Sequence, residues 1–214
     1  MPGSTKEHDD RCRPDGRPLI GTVVRLDRTV PGDASGLFAA LDDERVYAFG
    51  FAGGPAGRPA DEAAMSAIVH SAVTDSQRGR VAYTVRLVAD RDLGPAGTVV
   101  GTSSLSDPSL TDERVHLGWT GYSPSVWGTA VNPECKLLLL THAFEVCGFG
   151  RVKIQTDIVN ARSQAAIARL GAVREGVLRR HQRRADGTFR NTVVFSILIS
   201  EWPAVKAGLL RRLR

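Results

Sequence analysis

No stretch of the 214-residue sequence approaches the roughly 20 consecutive apolar residues that a helix needs to cross a bilayer. The leucine stripe Leu137–Leu140 has four residues. The sequence therefore lacks a transmembrane signature. Residues 1–17 are polar and no hydrophobic segment follows them, so they read as a flexible leader and not as a secretory signal. Cysteine is scarce: Cys12, Cys135 and Cys147 are odd in number and lack metal-ligand spacing. If the last two share a helix they lie about 18 Å apart, too far for a disulfide. A disulfide scaffold is excluded, and a reducing cytoplasm is the compartment expected. There is no Gly-Lys-Ser/Thr phosphate loop, no Gly-x-Gly-x-x-Gly, no repeat and no second domain. Asp42, Asp43 and Glu44 are consecutive, hence on different faces of a helix, and read as a solvated helix end; no metal is expected.

What is present is the composition of an ordinary globule, 42% hydrophobic and 24% charged, with an uneven charge. Residues 151–214 carry 14 basic and 4 acidic side chains, net +10, whereas residues 1–150 are net −5. Patterning predicts a strand at Leu19–Leu26 and a helix at Asp33–Leu41 with Asp33 as N-cap. A Gly/Pro loop, Gly53–Pro59, precedes an amphipathic helix that Asp61 opens and Gly79 ends, with Ala64, Met65, Ile68, Val69 and Ala72 at helical spacing. Three antiparallel strands follow, Val81–Val88, Thr98–Leu105 and Val115–Tyr122. Asn132-Pro133-Glu134 then predicts a helix N-terminus with Asn132 as cap, running to Cys147 and closed by Gly148 or Gly150. Val152–Thr156 is a strand, Ala161–Leu170 a helix closed by Gly171, and Gly176–His181 with Phe189–Ile199 a hairpin turning at Asp186-Gly187. The order makes an α+β fold.

Between Tyr122 and the helix at Asn132 lies Trp127-Gly128-Thr129-Ala130-Val131. Small residues at 128 and 130 let an anion approach the backbone, and unpaired helix-start amides add partial positive charge. An ordinary strand-to-helix turn would look the same.

The run Gly118-Trp119-Thr120-Gly121-Tyr122-Ser123-Pro124 leading into Trp127–Glu134 resembles the acyl-CoA-binding segment of the GNAT superfamily, in its RimJ/RimL-like branch. Asn160–Ala172, Glu175-Gly176 and Phe195–Leu198 resemble that branch's later signatures, and the likeness covers residues 18–203. It implies a mixed, mostly antiparallel sheet with helices on both faces and a V-shaped cleft for acetyl-CoA, with residues 204–214 a basic tail. It implies that Trp127, Gly128, Thr129, Ala130, Val131 and Asn132 hold the pyrophosphate, that Asn160 contacts the pantetheine arm, and that Ser163 lies near the sulfur as a proton donor. Capping explains Asn160 and Ser163 equally well. Ser125 stands where the family carries Arg or Gln; Lys136, Arg162 or Arg169 could supply charge toward the phosphates, unless Lys136 is simply solvated.

Direct transfer needs an unprotonated amine, which costs roughly 4.6 kcal/mol at pH 7 for a lysine side chain and about 1.4 for an α-amine. Where the branch carries a Glu before its Gly-Trp pair, this sequence has His116, which could serve as base; Glu113 and His181 compete. The resemblance thus implies an N-acetyltransferase acting on a protein N-terminal α-amine or a small-molecule amine. The alternative is a non-catalytic protein docking on RNA or the ribosome through Arg179, Arg180, Arg183 and Arg184, though few aromatics accompany them. A homodimer through the hairpin is a further expectation. The acceptor groove falls to residues 46–59, 105–113 and 178–190, which carry no motif.

Overall fold

The computed structural model describes residues 11–74, 79–89 and 92–214. The chain forms β1 (Leu19–Ile20), β2 (Val24–Arg28), α1 (Ala34–Leu41), α2 (Glu44–Tyr47), α3 (Glu62–Thr74), β3 (Val81–Leu87), β4 (Val99–Ser109) and β5 (Arg114–Tyr122). It continues through α4 (Val131–Thr141) with a π-helical turn over His142–Val146, then β6 (Arg151–Asp157), α5 (Ala161–Ala168), β7 (Val173–Arg183), β8 (Phe189–Leu198) and α6 (Trp202–Arg211). One eight-stranded sheet runs β1-β2-β3-β4-β5-β6-β8-β7, antiparallel everywhere except between β5 and β6. Two separate apolar clusters flank it. Leu117, Leu139, Phe149 and Ile197 pack with α4 and α6, and Leu37, Leu41, Met65 and Val69 pack among α1, α2 and α3. The mixed, mostly antiparallel sheet matches the expectation from sequence.

Several local expectations change. The strand expected at Leu19–Leu26 is two strands joined by a tight turn, and the reason is Glu134. This buried carboxylate accepts from the amides of Thr22, Val23 and Val24 at 2.9, 2.6 and 2.7 Å and from the Thr22 hydroxyl at 2.9 Å. Gly21 leaves room for it; a Cβ there would lie 2.3 Å from the Glu134 carboxyl carbon. Glu134 thus clamps β1–β2 to α4. Asn132 is not the cap, because α4 starts at Val131 after Ala130, which makes no side-chain cap bond. Asp33 precedes α1 but turns away to accept from Thr84 Oγ1 at 2.7 Å and to pair with Arg86. Asp61 does cap α3, accepting from the Ala64 amide at 2.8 Å, with Met65, Val69 and Ala72 buried. Its expected stop at Gly79 follows residues 75–78, which lie outside the described residues. Gly148 and Gly171 close their helices with positive φ, at 69° and 96°.

Residues read as a basic tail from 204 onward contain α6. Trp202, Val205 and Leu209 recur at helical spacing and are buried, with Trp202 stacked on Phe144 at 5.4 Å and its indole N–H donating to Glu145 at 2.6 Å. In the expected leader, residues 11–17 lie against the body: the Cys12 amide donates to the Cys147 carbonyl at 3.2 Å, and Arg11 pairs with Glu113.

Candidate active site

β5 and β6 pair in parallel only where Arg114–Leu117 meets Arg151–Ile154. Beyond that point β5 follows β4 and β6 follows β8, so a gap opens after Leu117 and Ile154. The opening coincides with a bulge: Gly118 opposes Ser104 while Gly121 opposes Thr102, and the extra residue Trp119 adopts φ of 54°. A bulge re-aims side chains. Trp119 points out, 46% exposed, with the Arg80 guanidinium 4.4 Å from its ring centroid.

Below the gap β5 runs through a short 3-10 turn, Pro124–Val126, into α4. Gly128 takes φ of 78°, a left-handed conformation that favours glycine. The Thr129 hydroxyl donates to the Val126 carbonyl at 2.7 Å and accepts from the Val131 amide at 3.3 Å. Among the described residues, the amides of Gly128, Ala130 and Asn132 find no acceptor in the chain. The Val131 side chain is fully buried in the core, so its position contributes backbone only. Trp127 donates its indole N–H to the Tyr122 carbonyl at 3.0 Å, and its ring is covered by Arg162 at 3.6 Å and approached by Arg45 at 5.8 Å. Burial, then the charge of Arg45, lowers the Arg162 pKa. Two guanidinium groups, that of Arg45 paired with Asp43 at 2.6 Å, therefore converge from α2 and α5 on a loop with open amides. Arg45 escaped the sequence reading because α2 itself did, where the Asp43 cap on the Arg45 amide at 2.9 Å was the available signal.

Asn160 caps α5: its Oδ1 accepts from the Ser163 amide at 2.9 Å, which brings these two residues together at the helix start. Lys136 does not face the outside of α4. It is buried, donates to Thr120 Oγ1 at 2.8 Å, and has no carboxylate within 4 Å among the described residues; burial lowers its pKa to about 8. The Thr120 hydroxyl in turn shares a hydrogen bond with Ser103 at 2.8 Å. Lys136 therefore lies under β5, not at the surface beside the phosphate loop.

His116 is buried on β5 opposite Lys153 of β6. Its Nδ1 shares a hydrogen bond with Ser106 Oγ at 3.3 Å and lies 3.7 Å from the Asp107 carboxylate, while Nε2 is buried without a partner among the described residues. The ring lies over Gly118, where a Cβ would approach Nε2 to 2.7 Å. Burial lowers its pKa against the opposing pull of Asp107, so the neutral imidazole dominates at pH 7. Glu113 is not brought to this end. It precedes the first residue of β5, roughly 20 Å of strand from Trp119 at about 3.3 Å per residue, and pairs with Arg11. His181 shares a hydrogen bond with Thr192 at 3.0 Å, and Arg190 donates to the same hydroxyl at 2.9 Å; desolvation, then Arg190 and Lys153, lower the His181 pKa. Among the described residues no three His, Cys, Asp or Glu side chains cluster as metal ligands, and no helix is long and apolar enough to cross a membrane.

A strand pair that splays beside an amide-lined loop has counterparts in known proteins. No curated protein matches the sequence. Among solved structures, a T. thermophilus protein assigned as an acetyltransferase is 36% identical over 92% of this chain and 97% of its own, with a TM-score of 0.78. A GCN5-related N-acetyltransferase from Brucella melitensis is 26% identical over 95% and 88%, with a TM-score of 0.82. Mycobacterium smegmatis RimJ, solved with CoA-disulfide, shares the fold at 19% identity, 92% and 93% coverage and a TM-score of 0.73. The acetyltransferase (GNAT) domain model matches residues 24–173, most of the sheet with the splay and its loop, and the chain accordingly belongs to the GNAT acetyltransferase family.

Proposed function

We propose that the chain transfers an acetyl group from acetyl-CoA directly to a primary amine, within a catalytic unit that runs from residue 18 through the end of α6 at Arg211 and acts in the cytoplasm. One observation carries this reading: the open amides of Gly128, Ala130 and Asn132 at the start of α4, beside the gap where β5 leaves β6. These amides suit a pyrophosphate, and Arg162 adds the charge that Ser125 does not provide, with Arg45 behind it in an ion pair with Asp43. Asn160 keeps its Nδ2 for the pantetheine arm while its Oδ1 caps α5. The CoA complex of the RimJ neighbour, alike in fold, lends support to this assignment.

His116 is the base in this reading. Its neutral ring and unpartnered Nε2 suit proton acceptance directly or through water, and Ser163 is the donor to the departing thiolate. Within the hairpin Arg184 is ion-paired inside the chain while Arg179, Arg180 and Arg183 stay exposed and charged, so the surface open to RNA is smaller than the sequence count suggests. Arg184 donates to Asp157 at 2.9 Å, and Arg180 and Arg183 cover Phe189 at 3.9 and 4.7 Å. Calorimetry tests the reading. Acetyl-CoA should bind at micromolar protein, Asn160→Ala should weaken binding more than His116→Ala, and His116→Ala should mainly lower kcat. Absence of any affinity for acetyl-CoA or CoA refutes it.

A further inference from the structure

We propose that a cavity between α1, α3 and the sheet receives an apolar substituent of the acceptor, so that the amine acetylated is carried on an aliphatic chain. This rests on the acetyl-transfer reading and names its substrate class. The cavity encloses about 80 Å³ and is walled by Leu37, Leu41, Tyr47, Met65 and Val69. Among the described residues no carboxylate lines it, the threonine hydroxyls are engaged, Thr102 donating to the Tyr83 carbonyl at 3.0 Å and Thr29 bonding Thr84 at 3.1 Å, and the one charged lining residue is the cation Arg80, whose guanidinium lies over Trp119. A charged ammonium has nothing to bind there; a hydrocarbon does.

Its position ties it to the transfer site. Trp119 and Phe51 both line it. Trp119 lies two residues beyond Leu117, where β5 and β6 part, and Phe51 packs so closely on Gly121, in the stretch of β5 that no longer pairs with β6, that a Cβ there would meet the ring at 2.7 Å. An occupant can thus leave its amine at the gap. Backbone strain gathers at the same place: Ala52 and Trp119, two lining residues, hold positive φ at 50° and 54°. Non-glycine residues hold such angles only where surrounding structure enforces them, and they cluster at ligand sites. The two angles set the Phe51 and Trp119 rings around the cavity mouth beside Ile68, which is 43% exposed.

The test is a series from methylamine to hexylamine, whose basicity is nearly constant, with saturating acetyl-CoA and thiol release as readout, together with calorimetry of pentylamine on the protein alone. We expect kcat/KM to rise about fourfold per methylene. The rise should level once roughly three carbons fill the space, at about 30 Å³ for a water-sized group. Pentylamine should bind without acetyl-CoA. Val69→Phe should move the maximum to shorter amines, and Ile68→Asp, an exposed change that leaves the core intact, should flatten the rise. A flat or falling series, or no turnover of any member, with acetyl-CoA still bound overturns the cavity assignment and leaves acetyl transfer standing. Loss of acetyl-CoA binding itself would refute the reading beneath it.

Discussion

Replacing Glu134 by Gln should destabilise the protein severely, although the side chain touches no expected ligand. The carboxylate satisfies three buried or half-buried amides and one hydroxyl, all donors. Glutamine keeps one accepting oxygen and turns an NH₂ donor toward groups that also donate, so about half of these bonds are lost. Hydrogen bonds to a charged acceptor are worth about 1.5–3 kcal/mol each, and buried donors left unpaired cost about 1–3 kcal/mol each. Two lost bonds therefore predict about 3–5 kcal/mol. For a chain of this size each kcal/mol moves Tm by about 2–4 °C, so the drop should be on the order of 10 °C or more. Thermal unfolding followed by circular dichroism measures it. Gly21→Ala, which pushes a methyl into the same carboxylate, should cost a similar amount, and the double variant Gly21→Ala with Glu134→Ala should cost less than the sum of its singles because they remove one shared interaction. A Glu134→Gln protein within 2 °C of the parent, or strict additivity in the cycle, would refute the clamp.

Other expectations concern buried charge and the C-terminal helix. Lys136 has its pKa lowered to about 8 by burial, so the unfolded chain binds more protons than the native one between about 8 and 10.5, and stability should rise with pH across that window. The full shift corresponds to about 3 kcal/mol, and Lys136→Met should gain most of it at pH 7 and lose the slope; a variant no more stable at pH 7 than the parent contradicts this. His116 has a lowered pKa, so its contribution is complete above about 6.5 and is lost as pH falls toward its native value. A parent-minus-His116→Gln difference in Tm that does not shrink from pH 7 to 5 would count against burial of a neutral ring. Trp202→Ala should cost about 3–5 kcal/mol, read by urea unfolding, because α6 closes the core with Phe144; a midpoint unchanged by the substitution would mean that α6 is peripheral.

Sequence alone determined the succession of elements from α3 to β8 and the loop that marks the family. Period-2 and helical spacing, the Asp61 cap and glycines 148 and 171 are local signals, because each reports its own backbone conformation. The Trp127–Asn132 loop was legible for the same reason: small residues before a helix start are a short-range pattern. Partnership across the chain was not legible. Glu134 reads as a first-turn acid until the turn at Thr22, over a hundred residues away, supplies its donors. Lys136 reads as solvated until Thr120 receives it, Arg45 goes unread until α2 brings it to Trp127, and 204–214 reads as a tail until Trp202, Val205 and Leu209 find one core. Only the packed fold decides which polar groups are desolvated together, since desolvation depends on neighbours distant in sequence. That dependence also sets the tertiary features of the site: the unpartnered Nε2 of His116, and the apolar cavity under Trp119.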